Sequence, residues 1–565
     1  MGIRNLGNFI WPETWAIHRE KRHEVGPDIE LWKKVEREHR IDGKLVTPQI
    51  YDKSVLNHLR VIVQAFNEQF DPSHYRRCSG SRVVIDDGLQ NYAYSSIIQT
   101  EPEKTQPVIF LSRGLLYSLE DLWQGVVSDN NCMLHLMAGC KFNENDPVLR
   151  NVEMFYDFDR FRFNDYTFLL TLSDDFSASI KKHYGEEMSD EEINEQAAKI
   201  GTNIHQSVAI KMNSSDPRRA IFADILADLS VQWILSHEDA HIYNAHTSYW
   251  DKILGVAPSE LSPEIQELEA KVSNLLGSDQ RADDAELRVL AELHADYLAC
   301  FRLVDYLLDS KTFQLVSGLG TCVNTFTEAF QVDDENLGSA EQVRSAVIFW
   351  LSATVAVGSI LLFQRNIEKK GISSIEYPDL PTRIINAVIA TQHRITGRLK
   401  IPGEALYHDL DLPNDSVMNL MATCLSKDIW CLHAYALREP LLIQDPDLPT
   451  DKPLKFSELT GQDEEYQLIK TIFSAASFGQ AIAREVTPVQ MAAHAASSAQ
   501  IKNWCRLQGK FHDRFESAFR PFIERLEFID KSKIDESFHF MSQMSVDLNK
   551  AAELADLLEE KAAKP

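Results

Sequence analysis

From Arg219 to Leu235 the chain carries neither Gly nor Pro, and Phe222, Leu226, Leu229 and Trp233 recur at steps of four, three and four. That recurrence is the apolar stripe of a packed α-helix. A second uninterrupted stretch repeats the pattern at Val289, Glu292, Asp296, Ala299 and Leu303, with two acids set into an otherwise apolar face. Upstream, Arg82 to Ile85, Asn91 to Ile98 and Pro107 to Leu111 are β-rich runs bounded by Asp86-Asp87-Gly88 and Glu101-Pro102. They predict a small antiparallel sheet, after which Ser112-Arg113-Gly114-Leu115-Leu116 opens a helix. Phe155 to Leu172 alternates around Asn164-Asp165, as a hairpin inserted between the sheet and the first long helix would. It reads as an ordinary packed hairpin, with a flap over a cleft as the alternative.

Ser345 to Gln364 contains no charged residue and is long enough to span a bilayer. The small residues Ser352, Thr354, Gly358 and Ser359 suit a helix gripped by neighbours, and no second comparable stretch exists. A buried central helix is therefore the favoured reading, with a peripheral or re-entrant membrane contact as the alternative. Val256 to Asp284 fits a surface excursion, and Asp409 to Pro413 and Gln444 to Pro453 are Pro/Asp-rich connectors. Glu465 to Glu560 reads as several helices with Lys, Glu and Ala on exposed faces. The expected layout is an N-terminal helical segment (1–78), a core (79–400) with an insertion (150–218), and a helical C-terminal domain (401–565). The fold class is α+β and predominantly helical.

Where the first helical stripe runs on, the chain reads Ser236-His237-Glu238-Asp239-Ala240-His241, an H-E-x-x-H string. Residues four apart stack on one helix face, so His237 and His241 can present two imidazole nitrogens to one metal ion while Glu238 reaches a water beside it. A lone histidine on an apolar face is usually a satisfied core residue; two at this spacing around a glutamate favour a ligand pair. A catalytic zinc needs a third protein ligand and an open position. A third histidine six residues on, after a glycine, is ruled out by Asn244 and Thr247. His246 falls roughly 140° around the helix from His241 and joins only if the helix breaks there. Glu292, 51 residues after His241, is the better candidate, with Asp296 one turn later fixing the tautomer of a ligand histidine. The alternative is that both acids form surface ion pairs with Arg288 or Arg302. His294 lies on another face.

The two strings resemble the gluzincin zinc metallopeptidases, marked by H-E-x-x-H followed on a later helix by E-x-x-x-D. Within that group Ser236 to His246 with Glu292-Leu293-His294-Ala295-Asp296 is most similar to the phage-exclusion (Lit-type) peptidases, and secondarily to HtpX-like enzymes. The resemblance implies a zincin, thermolysin-like catalytic core binding Zn2+ through His237, His241 and Glu292. It makes Glu238 the general base and Asp296 the residue that orients a ligand. It also implies substrate binding by strand addition along Asn91 and Ala93, where Tyr92 departs from the family's pattern. A plain hairpin on the core is the alternative. Tyr377-Pro378-Asp379-Leu380-Pro381-Thr382-Arg383 resembles a His-Pro…Arg element of the HtpX-like enzymes, with Tyr377 in place of the histidine. Tyr377 and Arg383 are thus candidates to stabilise a transition-state oxyanion, against the reading of a Pro-set turn capping the next helix.

Charge and cysteine usage narrow the class further. A formal net charge of −27 over 565 residues repels nucleic acid and anionic lipid, so the expected partner is a protein or peptide substrate. The eight cysteines form no C-x-x-C pair and read as reduced thiols. No secretory signal follows Met1-Gly2-Ile3-Arg4, which points to a cytoplasmic protein. No phosphate-binding glycine loop and no Ser or Cys nucleophile motif is present. Two functions remain: a zinc endopeptidase, on the resemblance a latent phage-defence protease, or a non-catalytic interaction module on a peptidase scaffold.

Overall fold

The computed structural model describes residues 81–86, 93–101, 104–129, 132–134, 189, 217–249, 278–309, 340–369, 378–398, 415–437, 464–484, 486–526 and 531–563. The expected N-terminal helical segment, the Phe155–Leu172 hairpin, both Pro/Asp-rich connectors, Asn91 and Tyr377 lie outside the described residues. Strands β1 (Arg82–Asp86), β2 (Ala93–Glu101) and β3 (Lys104–Ser112) are followed by helix α1 (Arg113–Ser128). The remaining helices are α2 (Pro217–Tyr243), α3 (Ser278–Asp309), α4 (Ala340–Lys369), α5 (Leu380–Arg398) and α6 (Asp415–Leu437). Then come α7 (Glu464–Ala483), α8 (Pro488–Ala495), α9 (Ala499–Ile523) and α10 (Ile534–Ala563). The protein is predominantly helical, as the periodicity predicts.

The sheet departs from the expected all-antiparallel arrangement in one strand pair. β2 and β3 do form an antiparallel hairpin, Ala93 opposite Leu111, but β1 runs parallel to β3, Arg82 opposite Val108. The strand order is β1-β3-β2. β3 occupies the middle because Val108, Ile109, Phe110 and Leu111 are all buried, on both faces of the sheet. A continuous apolar run marks a central strand, yet it carries no information about the direction of its second neighbour. Among the described residues β2 has a strand on one side only.

Helix α2 is the axis of the fold, packing against α1, α3, α4 and the two hairpin strands. The stripe Phe222, Leu226, Leu229 and Trp233 is buried as expected, but so are Ser230, Gln232, Ser236 and Asp239 on its other faces. Ser236 Oγ donates to Gln232 O at 2.8 Å, and Trp123 Nε1 donates to Ser230 Oγ at 2.8 Å, whereas the buried side-chain amide of Gln232 has no hydrogen-bond partner among the described residues. The uncharged stretch is likewise a core helix. Ser345–Phe363 is, among the described residues, the one helical segment long and apolar enough to cross a membrane, and it is buried along its whole length by its neighbours in the fold.

Helices on both sides of residue 400 share their packing. One apolar cluster runs from Val83 to Ala555, and α6 lies against α4 while α7 lies against α5. Gly479 sits where α7 crosses α5, at a point where a Cβ would come within 2.5 Å of Ile389 O. Asp379 starts α5: its Oδ1 accepts from Thr382 N at 2.7 Å, with Pro381 inside the first turn. The capping reading of this segment therefore holds. All the described cysteines are free, four of them buried.

Asp428 ties two distant segments to α6. It accepts from Cys132 Sγ at 2.9 Å, Met133 N at 2.7 Å, Leu134 N at 3.2 Å and Trp350 Nε1 at 2.5 Å. Burial pushes its carboxyl up to about 7, against the pull of these donors. An acid whose folded-state value is raised binds its proton more tightly in the native protein, so its contribution to stability is full below about 4 and lost as pH rises through about 7. We therefore expect Asp428→Asn to flatten the fall of the urea midpoint between pH 4 and 7 relative to wild type. A parallel pair of curves would show that this carboxylate does not titrate there.

Candidate metal centre

The site is made where α2, α3 and α5 meet. α2 carries His237 and His241 one turn apart near its end, and α3 carries Glu292 and Asp296 one turn apart near its middle. Helix α2 is locked at this level by Asp239, whose carboxylate binds Arg302 of α3 at 2.5 Å and Ser81 Oγ at 2.9 Å. Arg302 is thus committed to Asp239, not to Glu292 or Asp296, and the reading of those acids as surface ion pairs fails. Both are buried, at 6% and 0% exposure.

Donor atoms of three side chains converge. His237 Nε2 and His241 Nε2 are 3.2 Å apart, and Glu292 places Oε2 at 3.5 Å from the first and Oε1 at 3.5 Å from the second. An ion bound tetrahedrally with bonds of about 2.0–2.1 Å holds its ligands about 3.3–3.4 Å apart; the two imidazole nitrogens meet that spacing, each Glu292 oxygen approaches it from one imidazole, and one donor atom from each residue can be chosen with all three within 4.8 Å of one another. Among the described residues His237, His241 and Glu292 are the one group of His, Cys, Asp and Glu side chains that could hold a metal ion. The donor set, two imidazoles and a carboxylate, suits zinc and does not by itself exclude other divalent transition metals.

Behind the triangle stands a chain of supports. Asp296 Oδ1 lies 3.0 Å from His237 Nδ1, and Arg383 of α5 grips the same carboxylate with Nε at 2.7 Å and Nη2 at 2.8 Å. The sequence reading set Arg383 beside the reacting carbonyl; the structure brings it to the site but turns two of its donors to Asp296. Trp233 stacks on the His237 ring at 5.3 Å between centroids, and Phe363 of α4 lies at 6.1 Å.

Charge balance explains the protonation behaviour. Burial disfavours the charged form of His237, but the carboxylates of Asp296 and Glu292 outweigh it and push the imidazole up to about 10. Burial lowers His241 to about 4, assisted by the charge of His237. Glu292 is driven well below the usual carboxylate range by the two histidines and Arg383 despite its burial. Asp296 is lowered too, chiefly by Arg383, again against burial. Arg383 balances Asp296, and the remaining negative charge on Glu292 needs either a proton on His237 or a bound cation.

The helix break on which His246 depended is present. α2 ends at Tyr243, Asn244 Nδ2 caps Ala240 O at 2.8 Å, and Ala245 has φ 59, a left-handed conformation that costs a non-glycine residue roughly 1 kcal/mol. This turn brings His246 Nδ1 to 3.1 Å from His241 Nδ1. The next residue, Thr247, meets Ser95 of β2 with hydroxyl oxygens 3.2 Å apart. His294 stays out of the ligand triangle and packs beside His246 at 5.7 Å. Both lie against Phe511 and Phe515 of α9, and His246 against Phe519. The steps of four between these phenylalanines were the signal available in the sequence.

Glu238 follows His237 on α2 and is 4% exposed. Ala93 is fully buried at the start of β2, the strand that packs against α2. No protein-family model matches the chain, and neither a curated protein nor a solved structure matches it significantly.

The purified protein should carry close to one divalent cation per chain by elemental analysis. His237→Ala, His241→Ala and Glu292→Ala should each lose it. Asp296→Asn should weaken retention about 10- to 100-fold, the usual effect of removing the partner of a ligand histidine. Full metal content in all three ligand variants would place the ion elsewhere.

Proposed function

We propose that the chain is a zinc-dependent endopeptidase of the gluzincin type with a zincin-like core, most similar to the Lit-type phage-exclusion peptidases. The observation that carries this reading is the triangle of His237, His241 and Glu292, with Glu238 adjacent to it in the sequence. A divalent cation held there supplies Lewis acidity and lowers the pKa of water towards about 7. Glu238 accepts the proton of the attacking water and delivers it to the leaving amine. Asp296, gripped by Arg383, fixes the His237 ring so that Nε2 keeps its place in the triangle. Among the described residues β2 has no strand on its outer side, next to the end of α2, where an extended peptide can add as a strand.

His237, Glu238, His241 and Glu292 are 4–8% exposed. Donor atoms this buried are closed to a polypeptide substrate in this conformation, which fits an enzyme held latent until a signal, and a cytoplasmic protease needs such restraint. The same burial favours a second reading, a non-catalytic interaction protein in which the cation is structural. Glu238 separates the two, because a structural ion has no use for a general base beside its ligands.

Glu238→Gln should keep its metal and its thermal midpoint while proteolysis falls by about 10²- to 10⁴-fold, the range for losing a general base. New N-termini generated in a cell lysate by wild type and by the variant provide the readout. Equal cleavage by both would refute the mechanism, and metal without cleavage under any condition would favour the structural ion.

A further inference from the structure

We propose that His246 is a positioning residue of the metal centre, accepting the Nδ1 proton of His241 and so fixing the tautomer that aims Nε2 of His241 at the cation. The proposal rests on the metal-dependent reading above. His241 Nε2 is the atom that meets His237 at 3.2 Å and Glu292 at 3.5 Å. For that nitrogen to offer a lone pair, the ring's proton must sit on Nδ1. Nδ1 of His241 points at Nδ1 of His246, 3.1 Å away. His246 then accepts through Nδ1 and carries its own proton on Nε2, an atom that is buried and has no hydrogen-bond partner among the described residues.

Nothing about a helix continuing from α2 would deliver this contact. It needs the chain to turn at Ala245, a non-glycine residue with φ 59, and to restart at His246. It also needs a seat for the ring, which α9 supplies. Phe519 lies at 4.9 Å from the His246 ring, Phe511 at 6.2 Å and Phe515 at 6.4 Å, with His294 of α3 on another side. These aromatic neighbours hold the imidazole without competing for its Nδ1 lone pair, so the orientation is dictated by His241. Asp296 does for His237 what His246 does for His241, with the difference that a neutral ring adds no charge to a pocket already containing two carboxylates. The C-terminal helices thereby become part of the metal centre, and α9 is the element through which a partner or a rearrangement could loosen it.

The test compares His246→Phe, which fills the aromatic seat and has no nitrogen, with His246→Asn, which keeps an acceptor near Nδ1 and surrenders the ring. Each full-length protein is stripped of metal, its unfolding midpoint is recorded, and Zn2+ is titrated against a chromophoric chelator. His246→Asn should bind within about three-fold of wild type, and His246→Phe should bind about 10- to 100-fold more weakly even where its metal-free midpoint is the higher of the two. The reverse order, or equal affinities, overturns the proposal. A measurement on wild type alone guards against variants that do not fold. The Co2+-loaded protein should show metal-shifted, exchangeable N–H resonances from the Nδ1 positions of both His237 and His241, and a missing second resonance overturns the proposal as well. Failure of wild type to take up either cation rejects the metal reading itself, whereas tight wild-type binding that His246→Phe leaves unchanged rejects only the role of His246.

Discussion

Two carboxylates buried between three helices are the constraint on which the centre of this protein depends. Glu292 and Asp296 are buried where α3 meets its neighbours, and there an uncompensated charge costs several kcal/mol. Asp296 is balanced by Arg383 from α5 and linked to His237 from α2. Glu292 is balanced by whatever positive charge occupies the space between it and the two imidazoles. The three helices are therefore held in register by electrostatics as well as by apolar packing, and removing any one of these groups leaves another buried without its counterpart.

The chemistry of the site was legible because it obeys helical spacing. His237 and His241 are four apart, as are Glu292 and Asp296, and each pair stays on one face wherever the helices pack. The pairing between the two helices was inferred from the need of buried acids for a partner, and the observed 3.5 Å separations agree with it. Arg383 is found by its motif, but its contact with Asp296 is not, because spacing along one helix says nothing about which side of an acid a guanidinium from another helix approaches. His246 needed a residue in the left-handed region, and nothing about Ala245, with its Cβ, announces one as a glycine would.

The fold was legible in its elements and less so in their assembly. Periodicity locates the two ligand-bearing helices α2 and α3, the uncharged stretch ending at Gln364 proves to be interior, and α6 (Asp415–Leu437) has no expectation of its own. The direction of β1 was missed because alternation and apolar runs define strands without orienting them. Beyond residue 400, α6 and α7 pack against α4 and α5, contacts that the Pro/Asp-rich connectors do not announce. Connector residues report where the backbone turns, not whose surface the next helix covers.

Arg383 stands 91 positions after Glu292, and Phe519 another 136 positions beyond Arg383, so a ribosome exposes the paired imidazoles and acids long before their supports exist. An interrupted translation product carries the whole ligand string yet lacks the guanidinium that steadies Asp296 and the aromatic seat beside His246. The ligand cluster with its supports is therefore completed only when the C-terminal helices have been made.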